Sequence, residues 1–278
     1  METMNPAAAV GRTTSQDRVR QVTVLVGAAV AIVAATIGSG AFGGQPVAEA
    51  AGGALSATAT PVAPDSPAFS IWSVIYTGLA VFAVVQALPR QGADPRLRAI
   101  SWWVLASMLL NALWIGAVQA DSVAGSVVVI VVLLGVLATM YVKLVRMPHT
   151  ATAPSVITDV TVGLYTGWVS VATLANTAAF LADAQVGELG LGATGWSVVL
   201  VSAAALLAVA YGAYGRRRPA LVIPIGLAMG WGLMWIGLGR TNGPLVDETV
   251  ATAAFAAAVV AALAPVIAAL AARRSATR

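Results

Sequence analysis

Chemistry in this chain has to come from aromatic and amide side chains, because the usual catalytic types are missing. There is no cysteine, which removes disulfides, thiolate metal sites and thiol catalysis. The single histidine, His149, falls in a connecting loop between Pro148 and Pro154 and reads as a solvated residue rather than a ligand. The apolar segments hold no paired carboxylates, no Ser–His pair and no metal-ligand spacing, which weighs against an intramembrane enzyme. What they do hold is a stripe, Tyr165-x-x-Trp168-x-x-x-Ala172-x-x-x-Asn176. At about 100° per residue these four positions share one narrow face of a helix. Hydrogen-bonding groups aligned inside an apolar helix point to a partner helix or a cavity.

Two further stripes are of the same kind. Phe69, Trp72, Tyr76, Ala83 and Gln86 fall on one face of the preceding aromatic segment, and Ser107, Asn111 and Trp114 share a face of the next, with Trp103 nearby. Trp and Tyr present flat apolar faces with a polar edge, which suits a planar amphipathic ligand. The same residues also serve packing, since an interhelical hydrogen bond from Asn contributes ~0.6 kcal/mol. Trp102 and Trp196, at segment ends, read as interfacial anchors.

The elements that position these stripes follow from composition. Hydrophobic residues make up 59% of the chain and charged residues 9%, against about 25% charged in soluble domains. Eight apolar runs reach or approach the ~20 residues that cross a bilayer as a helix: 22–42, 69–88, 100–119, 123–142, 158–182, 196–214, 220–238 and 249–271. They are rich in Ala and Leu and do not alternate, which makes strands a poor alternative. The expected fold is an all-α polytopic eight-helix transmembrane bundle.

Charge placement sets its orientation. Arg12, Arg18 and Arg20 precede the first run, and Arg90, Arg96 and Arg98 occupy the second connection. Lys143 and Arg146 lie in the fourth, Arg216, Arg217 and Arg218 in the sixth, and Arg273, Arg274 and Arg278 in the tail. Of the 15 basic residues only Arg240 breaks the alternation. The positive-inside rule places both termini in the cytoplasm with eight spans between them. Basic residues clustered at span ends do not suggest nucleic-acid binding. Ala48-Glu49-Ala50 resembles a signal-peptidase site, but the run 22–42 is longer than the h-region of a signal peptide.

The three stripes together resemble the TspO/MBR family, the tryptophan-rich sensory proteins that include translocator protein. The second helix of that family carries Trp-x-x-Leu-Tyr, matched by Trp72 to Tyr76. Its third carries Leu-Asn-x-x-Trp, matched by Leu110, Asn111 and Trp114, and its fifth carries the stripe from Tyr165 to Asn176. Where family members carry Pro-Pro-x-Trp before helix 2, this chain has Ser66-Pro67-Ala68-Phe69. The resemblance implies a five-helix unit over 19–183 with a long outer loop at 43–68. A disordered cytoplasmic tail at 1–18 would precede it, and three additional helices over 184–278 would follow.

It also implies a binding or sensor protein of the bacterial inner membrane, whose ligand is a planar hydrophobic molecule such as a porphyrin. The ligand would occupy an outward-facing aromatic pocket formed by Phe69, Trp72, Tyr76, Asn111, Trp114, Tyr165, Trp168 and Asn176, with the loop 43–68 as its lid. With no histidine or cysteine in the spans to ligate iron, a metal-free porphyrin fits better than haem. No cofactor is required, and the expected partners are membrane lipids, the ligand and, by the resemblance, a second copy of the chain. Photochemical porphyrin breakdown through the Trp residues is the one enzymatic activity the resemblance carries. The alternative is a transporter of a small apolar or planar substrate, for which Asp159 is the only ionisable candidate. Asp159 and Asp183 otherwise read as marking the ends of the fifth span.

Overall fold

The computed structural model describes residues 12–40, 45–148, 152–188, 190–242 and 244–276. Among these are eight α-helices: α1 (Ser15–Gly38), α2 (Ile71–Ala87), α3 (Pro95–Gln119), α4 (Val123–Arg146), α5 (Ala153–Asp183), α6 (Gly192–Tyr214), α7 (Pro219–Thr241) and α8 (Glu248–Ala276). The chain is an all-helical polytopic membrane bundle. Residues 1–11, the loop positions 43 and 44, and His149 lie outside the described residues.

Local chemistry explains where several helices start. Thr14 and Asp17 form a reciprocal capping box, so α1 begins at Ser15, inside the stretch expected to be tail. Asp94 accepts from the Arg96 and Leu97 amides with Pro95 in the first turn, which starts α3 five residues before the apolar run and draws Arg96 and Arg98 into the helix. Pro67 sits in the short 3-10 turn Ser66–Ser70 that leads into α2, and Phe69 lies in that turn rather than in the α-helix.

Cross-links at the two ends establish the antiparallel order. At the basic end Arg98 pairs with Asp17, Arg20 donates to the Gly92 carbonyl, Arg96 pairs with Asp159, and Arg146 meets the Tyr214 hydroxyl. Gln21 and Gln86 exchange amide-to-carbonyl bonds there, so Gln86 joins α1 to α2 instead of facing a ligand. At the opposite end Gln119 donates to the Gly38 and Gln45 carbonyls, and Asp121 accepts from the Ala51 amide.

Seven of the described helices are long and apolar enough to cross a membrane. α5 is not among them, and its position explains why. It packs against α2, α4, α6 and α7, so Thr, Ser, Tyr, Trp and Asn on its surface face protein rather than lipid. α1 shows the opposite pattern, with Val19, Val22, Val26, Val30, Val33 and Ile37 exposed.

α5 and α7 approach closely at glycines. A Cβ at Gly163 would stand 2.4 Å from the Leu221 carbonyl oxygen, and one at Gly167 2.3 Å from that of Ile225. Only hydrogen at those positions lets the two backbones meet. α7 meets α8 in the same way through Gly226, where a Cβ would lie 2.4 Å from the Ala261 oxygen. α5 and α7 thereby join the first five helices to the last three.

Candidate functional site

The three aromatic stripes converge at the end of the bundle that carries the long loop. Trp72 of α2 is the centre of the cluster. It stacks on Tyr76 at 5.2 Å and 23°, meets Tyr165 edge-on at 5.8 Å, and meets Trp168 edge-on at 6.3 Å. Phe69 packs edge-on against Trp168 at 5.6 Å. These are the offset and T-shaped geometries that aromatic quadrupoles favour.

Two spaces flank this cluster. An inner cavity of about 50 Å³ lies between α2, α3, α4 and α5, with Val47, Leu55, Thr60, Ala63 and Pro64 of the long loop as its roof. Phe69, Trp72, Asn111, Trp114, Trp168 and Asn176 all line it. A groove of about 550 Å³ lies outside, between the loop end of α1, the segment Pro46–Glu49 and α2. Val47, Phe69, Trp72 and Trp114 line both spaces and so form the wall between them. One aromatic pocket was expected; the aromatic side chains divide it in two.

Six of the eight expected site residues therefore reach the inner cavity, and two do not. Tyr76 lines the groove, and its hydroxyl accepts from the Asn111 amide at 2.8 Å. Tyr165 lines neither space; it is buried behind Trp72 and donates to the Ser107 carbonyl at 3.0 Å. The polar groups on the floor are committed to one another. Trp114 donates its indole N–H to Asn176 Oδ1 at 2.7 Å, and Asn176 donates to Ser126 Oγ of α4 at 3.0 Å.

Two lining groups have no partner. The Trp168 indole N–H and the Thr60 hydroxyl are buried without a hydrogen bond among the described residues. The Cζ3 edge of the Trp168 indole faces Gly232 on α7, which leaves the N–H on the opposite edge of the ring. Buried donors are rarely left unpaired, so these two are the lining groups with hydrogen-bonding capacity still unused.

The roof is fastened from α7. Arg240 donates to the Ala57 carbonyl at 2.7 Å and the Thr60 carbonyl at 3.0 Å. Trp231 donates to the Ala68 carbonyl at 2.8 Å, and the Asp65 amide donates to the Trp235 carbonyl at 3.3 Å. Asp247, in the connection after α7, is held below the usual carboxylate range by the Thr194 hydroxyl, the Val250 and Thr249 amides and the nearby Arg240 charge. The partners of Arg240 were invisible in sequence, because loop residues 57 and 60 carry no periodic signal; its exceptional place in the charge pattern was the available clue.

Asp159 lies at the basic end, in the second turn of α5, where it is buried and forms an ion pair with Arg96 of α3.

Searches of curated proteins and of solved structures each found no match to the chain. A family did match, described as TSPO-like protein, over residues 21–267. The matched region begins in α1 and ends in α8, so it takes in α6–α8 as well as the helices that carry the aromatic stripes. The chain belongs to the TSPO-like protein family.

Proposed function

We propose that this membrane protein binds a planar hydrophobic ligand, such as a metal-free porphyrin, as a sensor whose aromatic site opens to the outer face. The observation that carries this reading is the shared wall of Phe69, Trp72 and Trp114 between a groove of about 550 Å³ and a cavity of about 50 Å³. Sites for small molecules occupy roughly 300–1,000 Å³, so the groove has room for a macrocycle. The cavity holds only a few waters or one ring substituent. The ring lies in the groove against Trp72 and Tyr76, and an acceptor at its edge reaches the free Trp168 N–H. No basic residue lines either space among the described residues, so carboxylates on such a ring stay in water at the groove mouth.

In this reading all eight helices span the inner membrane, α5 within the protein interior, and both termini lie in the cytoplasm, a placement that the basic end and the positive-inside rule support. A titration with protoporphyrin, followed by Trp fluorescence quenching and the shift of the Soret band, tests the binding. Saturable one-to-one binding that weakens in Trp72→Ala supports the site. Linear, non-saturating quenching, or affinity unchanged in Trp72→Ala, overturns it.

A further inference from the structure

Among the described residues Arg240 is the one basic residue away from the basic end, and it is only 1% exposed. Burying a guanidinium is costly unless its donors are met. Among the described residues no carboxylate forms an ion pair with it; its two hydrogen bonds go to the backbone carbonyls of Ala57 and Thr60. Thr60, with Ala63 and Pro64, roofs the inner cavity.

The two halves of the long loop are held differently. Its first half is tied to the α3–α4 corner, through Gln119 to the Gln45 carbonyl and Asp121 to the Ala51 amide. The second half, which brings Thr60, Ala63 and Pro64 to the roof beside Val47 and Leu55 of the first, is tied to α7 alone among these contacts, by Arg240, Trp231 and the Trp235 carbonyl. Yet among the described residues α6, α7 and α8 contribute nothing to the cavity lining.

We propose that Arg240 is the latch of this roof: a positioning residue through which the last three helices control access to the cavity. The proposal rests on reading the cavity as part of the binding site. A planar ligand whose edge enters beneath Thr60 must draw the Ala57 and Thr60 carbonyls off the guanidinium, and release of the ligand lets them return. Charge-assisted bonds of this kind are the stronger ones, so the closed state dominates without ligand.

The absence of native cysteine makes the test direct. Ala172→Cys places a reporter thiol in the cavity, and Ser73→Cys places one in the groove. Each is labelled with a membrane-impermeant methanethiosulfonate reagent in proteoliposomes. Loss of two charge-assisted bonds in Arg240→Gln is expected to speed labelling at position 172 by at least about tenfold and to leave the rate at position 73 unchanged. Arg240→Lys, which keeps the charge but loses the two-pronged fork, is expected to fall between. An unchanged rate at position 172 in Arg240→Gln overturns the latch.

A second variant covers the case in which Arg240→Gln does not fold. A Cβ at Gly239 would lie 3.4 Å from that of Asp65, close to disulfide geometry. Oxidised Asp65→Cys/Gly239→Cys in the Ala172→Cys background should slow labelling at position 172 relative to Ala172→Cys alone. Labelling as fast with the disulfide as without it also overturns the latch. Neither readout uses porphyrin, so failure of the latch and failure of porphyrin binding are separate results.

Discussion

The Trp114 indole N–H and the Asn176 carbonyl oxygen meet at 2.7 Å and tie α3 to α5 at the cavity floor, while the Asn176 amide reaches Ser126 of α4. One amide thus serves three helices and the cavity lining together. Asn176→Leu removes the acceptor and strands a buried indole donor, a cost of about 1–3 kcal/mol. Trp114→Phe removes the donor and leaves Asn176 Oδ1 within 3.3 Å of the Ser126 hydroxyl, so it should cost less through lost hydrogen bonding. Thermal unfolding in detergent is expected to rank Asn176→Leu below Trp114→Phe. Equal midpoints would show that the triad adds little to stability.

Trp168 behaves differently because its N–H has no partner to lose. Trp168→Phe therefore leaves no hydrogen-bonding group unsatisfied. The unfolding midpoint is expected to fall only by the packing lost with the smaller ring, whereas affinity for protoporphyrin falls by the value of one hydrogen bond, roughly five- to tenfold. Titration of the two proteins side by side checks this. Loss of stability without loss of affinity would place the indole N–H outside the binding surface.

How much of this was legible in sequence depends on what each residue contacts. The periodicity of the stripes located the cluster, since Phe69, Trp72, Asn111, Trp114, Trp168 and Asn176 do line one cavity. Helical phase does not say which neighbour a side chain meets, and Tyr165 shares the phase of Trp168 while lying behind Trp72. Nor does it reveal that three of the shared side chains form a partition. The Arg96–Asp159 pair joins positions 63 residues apart, and no local rule links them. Gly163 and Gly167 carry the four-residue small-residue spacing that suits close helix packing, but spacing alone does not name α7 as the partner whose Leu221 and Ile225 carbonyls they meet.

Those glycines give a prediction with an internal control. A Cβ at Gly167 would collide with backbone, 2.3 Å from the Ile225 oxygen, whereas one at Gly78 would meet the Thr161 hydroxyl at 2.6 Å. A side chain can rotate away and a helix backbone cannot. Gly167→Ala is expected to cost about 1–3 kcal/mol through overpacking and to loosen α7 from α5, while Gly78→Ala costs clearly less. Unfolding midpoints of the two variants decide the matter, and a Gly78→Ala defect as large as that of Gly167→Ala would count against the argument.

Asp159 supplies the last prediction. The carboxylate is buried against Arg96, and the Nε and Nη1 atoms of that guanidinium have no other partner among the described residues. Asp159→Asn leaves the arginine charge buried without its counter-charge, which typically costs about 3–5 kcal/mol. Arg96→Met together with Asp159→Leu removes both charges, and replacement of a buried pair by apolar groups is often neutral or stabilising. The single variant should therefore unfold at a much lower temperature than the double one. The same comparison bears on transport, because a carboxylate that carries a coupling ion cannot be replaced by Leu. Substrate uptake into proteoliposomes that persists in a stable double variant would exclude Asp159 as a coupling site, and uptake abolished in that same stable protein would restore it.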